Sequence, residues 1–298
     1  MTTPVSGQIS FSDIRTEFEF LGSGAASMST LRGKGNWTGS TNNTLPSGQI
    51  SFSDLYGKND YYGNYTQGSD VNYSGGFNYT DTYSPGSLDV KFIRIRCWGS
   101  GGGSGGNARH DTYGTCGTAS DGSYIPMNAV GATTFTGGSG GSGGYAEMIV
   151  KFQGGTISYI RGVAGANNKP QVFATPVPTY GQTASSGSFS GATGATGNSG
   201  TSATATYTGN GTSQTVTGNG GSGGSGASIS GSAACSRESS SQGGSFWGFN
   251  VSRSNGSTGS NGTGVTPSLS ATVQYINTST GGGKSANTHG QVTFNHYT

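Results

Sequence analysis

Short apolar segments of β type alternate along this chain with long stretches that contain almost no apolar residue. Val90-Lys91-Phe92-Ile93-Arg94-Ile95-Arg96-Cys97-Trp98 is one such segment, and Tyr145-Ala146-Glu147-Met148-Ile149-Val150 is another. Segments of this kind predict strands over 88–98, 145–153, 156–163, 171–176, 203–208, 213–217, 268–277 and 290–297. Phe77-Asn78-Tyr79-Thr80, followed by Ser84-Pro85-Gly86, reads as a further strand entering a turn. No amphipathic helix of ten or more residues is predicted after Asp60.

The first part of the chain is built on a repeat. The octet SGQISFSD occupies Ser6 to Asp13 and again Ser47 to Asp54, followed by Ile14 or Leu55. Ile9 and Phe11, like Ile50 and Phe52, alternate with Gln and Ser as in a short half-buried strand or hook, and the Ser-Asp pair is suited to capping a helical turn. The first copy runs on through Ile14-Arg15-Thr16-Glu17-Phe18 and is expected to lead a short helix, whereas the second ends early at Gly57. Residues 1–58 hold too few large apolar side chains to bury much core alone, which suits an anchor docking on a larger assembly; a duplicated turn packing on its own domain is the alternative. The Tyr/Asn/Gly-rich segment that follows presents Tyr61, Tyr62, Tyr65, Tyr73, Tyr79 and Tyr83 either as a sugar- or protein-facing surface or as interchain packing.

The stretches between the strands are dominated by glycine, 59 of the 298 residues. Gly99 to Gly106 follows Trp98 directly, and Gly137 to Gly144 runs straight into Tyr145, so these tracts are attached to strands at their ends. Hydrophobic residues make up 30% and charged residues 9%, both below globular norms, yet a net charge of +2 and 10% aromatics do not describe a self-repelling disordered chain. Ordering so many glycines costs backbone entropy and calls for dense backbone hydrogen bonding, a partner chain, or both; an oligomer is expected. Gly191 to Gly200 has glycine at every third position without proline, which is too short for collagen but compatible with extended helices of three residues per turn, and equally with mobile coil.

The remaining residues argue against several function classes. The 14 basic side chains are scattered, so no nucleic-acid partner is expected, and no apolar stretch approaches the roughly 18 residues of a membrane span. Without a signal-peptide pattern at its start, the chain is expected to be synthesised in the cytoplasm. Cys97, Cys116 and Cys235 match no zinc spacing and read as free thiols, with a Cys97–Cys116 bridge left open. Gly101-x-Gly103-x-x-Gly106 formally matches a dinucleotide fingerprint but lacks the helix that would receive a pyrophosphate. His110, His289 and His296 have no nucleophile elbow to serve and read as loop histidines, while Glu147 and Lys151 read as solvated or interchain partners. No catalytic, cofactor-binding or metal-binding residue is assigned, and the chain is not expected to be an enzyme. A polysaccharide hydrolase would need a carboxylate pair from the few acidic residues after position 90.

The order of motifs, a strand ending in C-W-G-S-G-G-G-S-G-G (Cys97 to Gly106), then G-G-S-G-G-S-G-G-Y-A-E (Gly137 to Glu147) and a closing Gly290-Gln291-Val292-Thr293-Phe294, resembles the glycine-rich domain of bacteriophage tail fibres and related virion proteins over residues 75–298. Ile93 and Ile95 stand where that pattern has valines, and Ser142 interrupts the glycines before Tyr145. The octets are similar to I-S-F-S-D-[IL] repeats near the start of phage structural proteins. The resemblance implies a mainly β protein: a virion-attachment region over 1–58, a connecting segment over 59–86 and a glycine-rich β domain with long Gly/Ser/Thr loops over 87–298, in an intertwined trimer. It further implies a virion location, contacts with other virion proteins through Ile9, Phe11, Asp13, Ile50, Phe52 and Asp54, and a host-surface glycan or protein as outward partner. A purely structural collar, baseplate or head-fibre component is the alternative.

Overall fold

The computed structural model describes residues 6–18, 28–38, 41–85, 90–110, 115–118, 124–126, 133–167, 172–173, 192–209, 211–239 and 245–298. The fold is mainly β, with antiparallel sheets and one α-helix among the described residues. Cys116 and Cys235 have no described side chains, and the expected strand over 171–176 is described only at Val172–Phe173.

Two five-stranded sheets pack face to face. The front sheet runs in the order Val273–Ser279, Tyr145–Lys151, Phe92–Trp98, Gln291–Tyr297 and Val71–Ser74, and the back sheet in the order Gly264–Val265, Thr212–Gly218, Ala203–Gly209, Thr156–Arg161 and Phe77–Tyr83. Every pairing in both is antiparallel. Alternate residues turn inward: Ile93, Ile95, Cys97, Met148, Val150, Val292 and Phe294 meet Ile157, Tyr159, Ala203, Ala205, Tyr207 and Val216. Burying each of the large side chains stabilises by roughly 1.5–3 kcal/mol. The Tyr207 hydroxyl is satisfied where it is buried, accepting from the Gln153 N–H at 2.9 Å and donating to the Gly154 carbonyl at 3.0 Å. The connecting segment over 59–86, in which the sequence predicts a strand at Phe77–Thr80, supplies an edge strand to each sheet, Val71–Ser74 and Phe77–Tyr83.

The glycine tracts are ordered, and they stand on this sandwich. Seven of them leave or enter the sandwich strands: 99–107, 136–144, 162–167, 194–202, 219–227, 255–263 and 280–290. Their backbones pair with a period of three. Gly99, Gly102 and Gly105 donate to the carbonyls of Gly144, Gly141 and Gly138; Ser100, Gly103 and Gly106 donate to those of Thr201, Asn198 and Ala195. Gly138, Gly141 and Gly144 donate in turn to Ser225, Ser222 and Asn219, and Asn219, Ser222 and Ser225 donate to Thr263, Ser260 and Ser257. The period marks extended helices of three residues per turn, like those of collagen but joined directly to one another. Of the two readings left open for Gly191 to Gly200, the described residues 192–200 take the ordered one.

Glycine occupies the positions where the backbone of a neighbouring tract approaches. Tract 255–263 lies at an edge and has glycine at one position in three, Gly256, Gly259 and Gly262. Tract 136–144 has glycine at two positions in three, and tract 219–227 follows the same pattern except at Ala227. Tract 99–107, surrounded by neighbours, is fully buried except at Ser104 and Asn107. The cause is space: a Cβ on Gly102 would lie 2.0 Å from the Ser222 carbonyl oxygen, and one on Gly141 2.1 Å from that of Ser260. The hydrogen bonding that composition demanded is thus found within one chain, without calling on a second.

Beyond the bundle, the chain turns around in small sheets made of Ala108–His110, Thr133–Phe135 and Val172–Phe173, and of Ala192–Thr193, Ser228–Ser239 and Ser245–Ser254. The hairpin of the last two matches none of the strands expected from the sequence. Ser-rich SISGSAACSRES carries no apolar alternation, and its strand is defined by backbone pairing.

Gly102→Ala should destabilise the protein by about 3 kcal/mol or more, since the new methyl group meets backbone on a neighbouring tract, whereas Ser139→Ala on an exposed face should stay within about 0.5 kcal/mol. Chemical denaturation of the two variants beside the parent protein checks this.

Candidate functional site

The two octets come together at the end of the molecule away from the glycine bundle. The first forms the start of the helix Phe11–Phe18, and the second forms the 3-10 helix Phe52–Leu55, stopped at Gly57, whose φ of 64° suits a residue without a side chain. Each is locked by the same Ser-Asp box. The Ser10 N–H and hydroxyl donate to Asp13 Oδ2 at 2.7 and 2.8 Å, and those of Ser51 donate to Asp54 Oδ2 at the same 2.7 and 2.8 Å. These bonds, the backbone N–H first, hold both carboxyls below the usual aspartate range.

Inside the boxes Ile14, Phe18, Leu31, Leu45 and Leu55 form a small core, with Ile9 and Ile50 half-buried against it. Phe11 and Phe52 do not join it. They are 44% and 40% exposed and meet edge to face with centroids 5.5 Å apart. A shallow polar cleft of about 300 Å³ beside the second octet is lined by Thr44, Leu45, Pro46, Ser53, Asp54, Tyr56 and Lys58. All six residues expected to act in attachment thus belong to one small unit: the two isoleucines hold it together, the two aspartates cap its turns, and the two phenylalanines present an apolar pair to solvent.

Other candidates are absorbed into the fold. Glu147, expected to be solvated or interchain, is 1% exposed: Arg94 donates to Oε1 and the Tyr145 hydroxyl to Oε2 at 2.6 Å. Lys151 is likewise buried, with Nζ 2.9 Å from Glu17 Oε1. The strand pattern hid this because both residues project from the outer face of the front sheet, where Arg94 and Tyr145 pair Glu147 and the helix residue Glu17 pairs Lys151. Most tyrosines also pack on their own chain: Tyr62 against Phe92, Tyr275 and Tyr297, Tyr73 against Tyr159 and Phe294, and Tyr83 stacked on Phe294 at 4.3 Å. Tyr79 remains 55% exposed.

His296 meets the Tyr83 hydroxyl, and its burial lowers the imidazole pKa. His289 Nδ1 accepts from the Ala164 N–H at 3.0 Å, and its ring lies against Gly76. The His110 side chain lies outside the described residues. Cys97 is a free, fully buried thiol whose pKa burial raises. The 101–106 glycines of the formal dinucleotide fingerprint are occupied by tract-to-tract hydrogen bonds. Among the described residues there is no group of three or more His, Cys, Asp or Glu side chains able to hold a metal, and no helix long and apolar enough to cross a membrane.

Comparison of the sequence with protein-family models and with curated proteins returns no match.

A double-mutant cycle of Phe11→Ala and Phe52→Ala should give a coupling of about 1 kcal/mol for the edge-to-face pair, read by denaturation. Lys151→Ala, which strands a buried carboxylate, should cost about 3–5 kcal/mol in the same measurement.

Proposed function

We propose that the chain is a subunit of a bacteriophage tail fibre or adhesin that attaches the particle to the host cell surface. The observation that carries this reading is the division of labour along the long axis. The octet unit contacts the sandwich at the Lys151 end of its strands, the glycine bundle leaves from the Trp98 and Tyr145 end, and the far strands beyond the bundle are linked by the sequence segments 111–132, 174–191 and 240–244. A hydrogen-bonded bundle is a stiff spacer, and connections displayed on a rigid scaffold are where recognition resides.

In this reading residues 1–58 hold the chain in the virion, with Phe11 and Phe52 as the buried contact in the assembled particle, and the far-end connections meet a surface glycan or protein. Assembly as a homotrimer would multiply weak single contacts into firm attachment. The second reading, a purely structural virion component, draws support from the inward packing of Tyr62, Tyr73 and Tyr83.

Purified, fluorescently labelled protein should stain cells sensitive to the phage that carries it and should block infection, and replacing 111–132 by a short Gly-Ser loop should abolish both effects. A correctly folded protein that neither stains nor blocks overturns the adhesin reading. Phe11→Ser with Phe52→Ser should leave staining intact while excluding the chain from particles; normal incorporation of that variant contradicts the attachment role of the octets.

A further inference from the structure

Among the described residues, the apolar cluster of the octet unit, around Ile14 and Phe18, is separate from the two in the sandwich. A buried charged group lies between it and the cluster around Ile95 and Phe294. Glu17, Asp60 and Lys151 are 1%, 1% and 4% exposed. Lys151 Nζ, on the front sheet, donates to Glu17 Oε1 at 2.9 Å and to the Glu17 carbonyl at 3.0 Å, both on the helix. The Asp60 N–H donates to the same Glu17 Oε1 at 3.1 Å.

The Asp60 carboxyl itself accepts from the Tyr61 N–H at 2.8 Å, from Asn64 Nδ2 at 3.1 Å and from the Tyr65 hydroxyl, which also reaches the Phe18 carbonyl at 3.3 Å. Gln274 completes the joint: its Nε2 donates to the Asp60 carbonyl and its Oε1 accepts from the Tyr62 N–H at 3.2 Å. Asn64 ties in the octet unit's strand Gly35–Thr38, which pairs with Thr41–Thr44, accepting from the Gly35 N–H at 3.0 Å and donating to its carbonyl at 2.9 Å.

Lys151 pairs with Glu17, so an ionised Asp60 adds a second negative charge to a site closed to water, whereas a protonated Asp60 adds none. A joint between two bodies that is small and polar permits relative motion, unlike one made of shared apolar core. We propose that Asp60 is the proton-operated element of a hinge between the octet unit and the β sandwich: a proton on Asp60 locks the two together, and its loss loosens them. Among the described residues, the charged and titratable groups facing Asp60 are Glu17 from the helix, Lys151 from the front sheet, and Tyr61 and Tyr65 from its own segment.

Burial raises the Asp60 carboxyl to about 6, against the lowering effect of the Tyr65 and Asn64 hydrogen bonds and of Lys151. The closed joint therefore binds its proton more tightly than the open one. Its extra stability is complete below about pH 4 and is lost as pH rises through about 6. The inference does not depend on the attachment reading, because it concerns only how the two bodies are coupled.

Hydrogen exchange of the full chain tests it, read at the joint amides of Asp60 and Gly35 and corrected for the intrinsic dependence of exchange on pH. Between pH 5 and pH 7 the joint should open about tenfold more often in the parent protein, the ratio expected for a carboxyl moved from about 4 to about 6. Asp60→Asn, in which Tyr65 can donate to the Phe18 carbonyl and accept from the new amide, should show no such rise. Glu17→Gln, which removes the neighbouring negative charge, should move the rise to lower pH. Amides of Ile95 and Ile149 in the front sheet should not follow the joint. A parent protein with no pH dependence at the joint, an Asp60→Asn profile that matches the parent, or a Glu17→Gln midpoint that does not move overturns the proposal; the Glu17→Gln result decides alone where Asp60→Asn does not fold.

Discussion

The structure depends on one interaction: backbone N–H to carbonyl pairing between neighbouring glycine tracts, repeated at every third residue. The pairing needs the tracts closer together than any Cβ on the contact faces would allow, as the Ser222 oxygen 2.0 Å from a Cβ on Gly102 demonstrates. Each tract alone is a flexible chain that would lose much entropy on ordering. Packed together they satisfy one another's donors and acceptors, and the low apolar content of the sequence stops being an obstacle to a defined fold.

The bundle in turn explains the layout on either side of it. Strands whose ends must meet the tracts are set in register by them: Gln291 and Tyr145 both pair with Trp98, so three tracts leave the front sheet at one level. Among the described residues the largest apolar cluster lies in the sandwich, where it orients the strands, and smaller ones sit beyond the bundle around Ile229 and in the octet unit. Polar contacts, chiefly among Glu17, Asp60 and Lys151, join that unit to the rest.

Much of this was legible in the sequence, because the two kinds of order have visible periods. Strands such as Phe92–Trp98, Tyr145–Lys151 and Gln291–Tyr297 fell where apolar runs placed them, and Gly191 to Gly200 displayed its three-residue repeat openly. The octets showed the early stop at Gly57 and a Ser-Asp cap, but the capping serine is the one three residues before each aspartate, Ser10 or Ser51, and not its neighbour Ser12 or Ser53. What stayed hidden had no period of its own. Val71–Ser74 and the long hairpin strands Ser228–Ser239 and Ser245–Ser254 are defined by pairing partners far along the chain or by a polar ladder. The burial of Glu147 and Lys151 was equally invisible, since a charged residue on a strand's outer face gives no sign that another segment will cover it. In the octet unit the sequence singled out six residues together but not their different structural parts: only the placement of Phe11 and Phe52 outside the core separates the solvent-facing pair from the residues that hold the turns.

The central claim is that the glycine tracts are ordered by pairing within one chain. Residue-resolved amide exchange on the isolated monomer, followed along the edge tract 255–263, tests it most directly. Gly256, Gly259 and Gly262 donate to the carbonyls of Thr136, Ser139 and Ser142, so these three amides should exchange slowly while those of Thr258, Ser260 and Asn261 exchange fast, a period of three written into the protection pattern. Uniformly fast exchange through the tract, or protection that arises only when chains associate, would contradict the account.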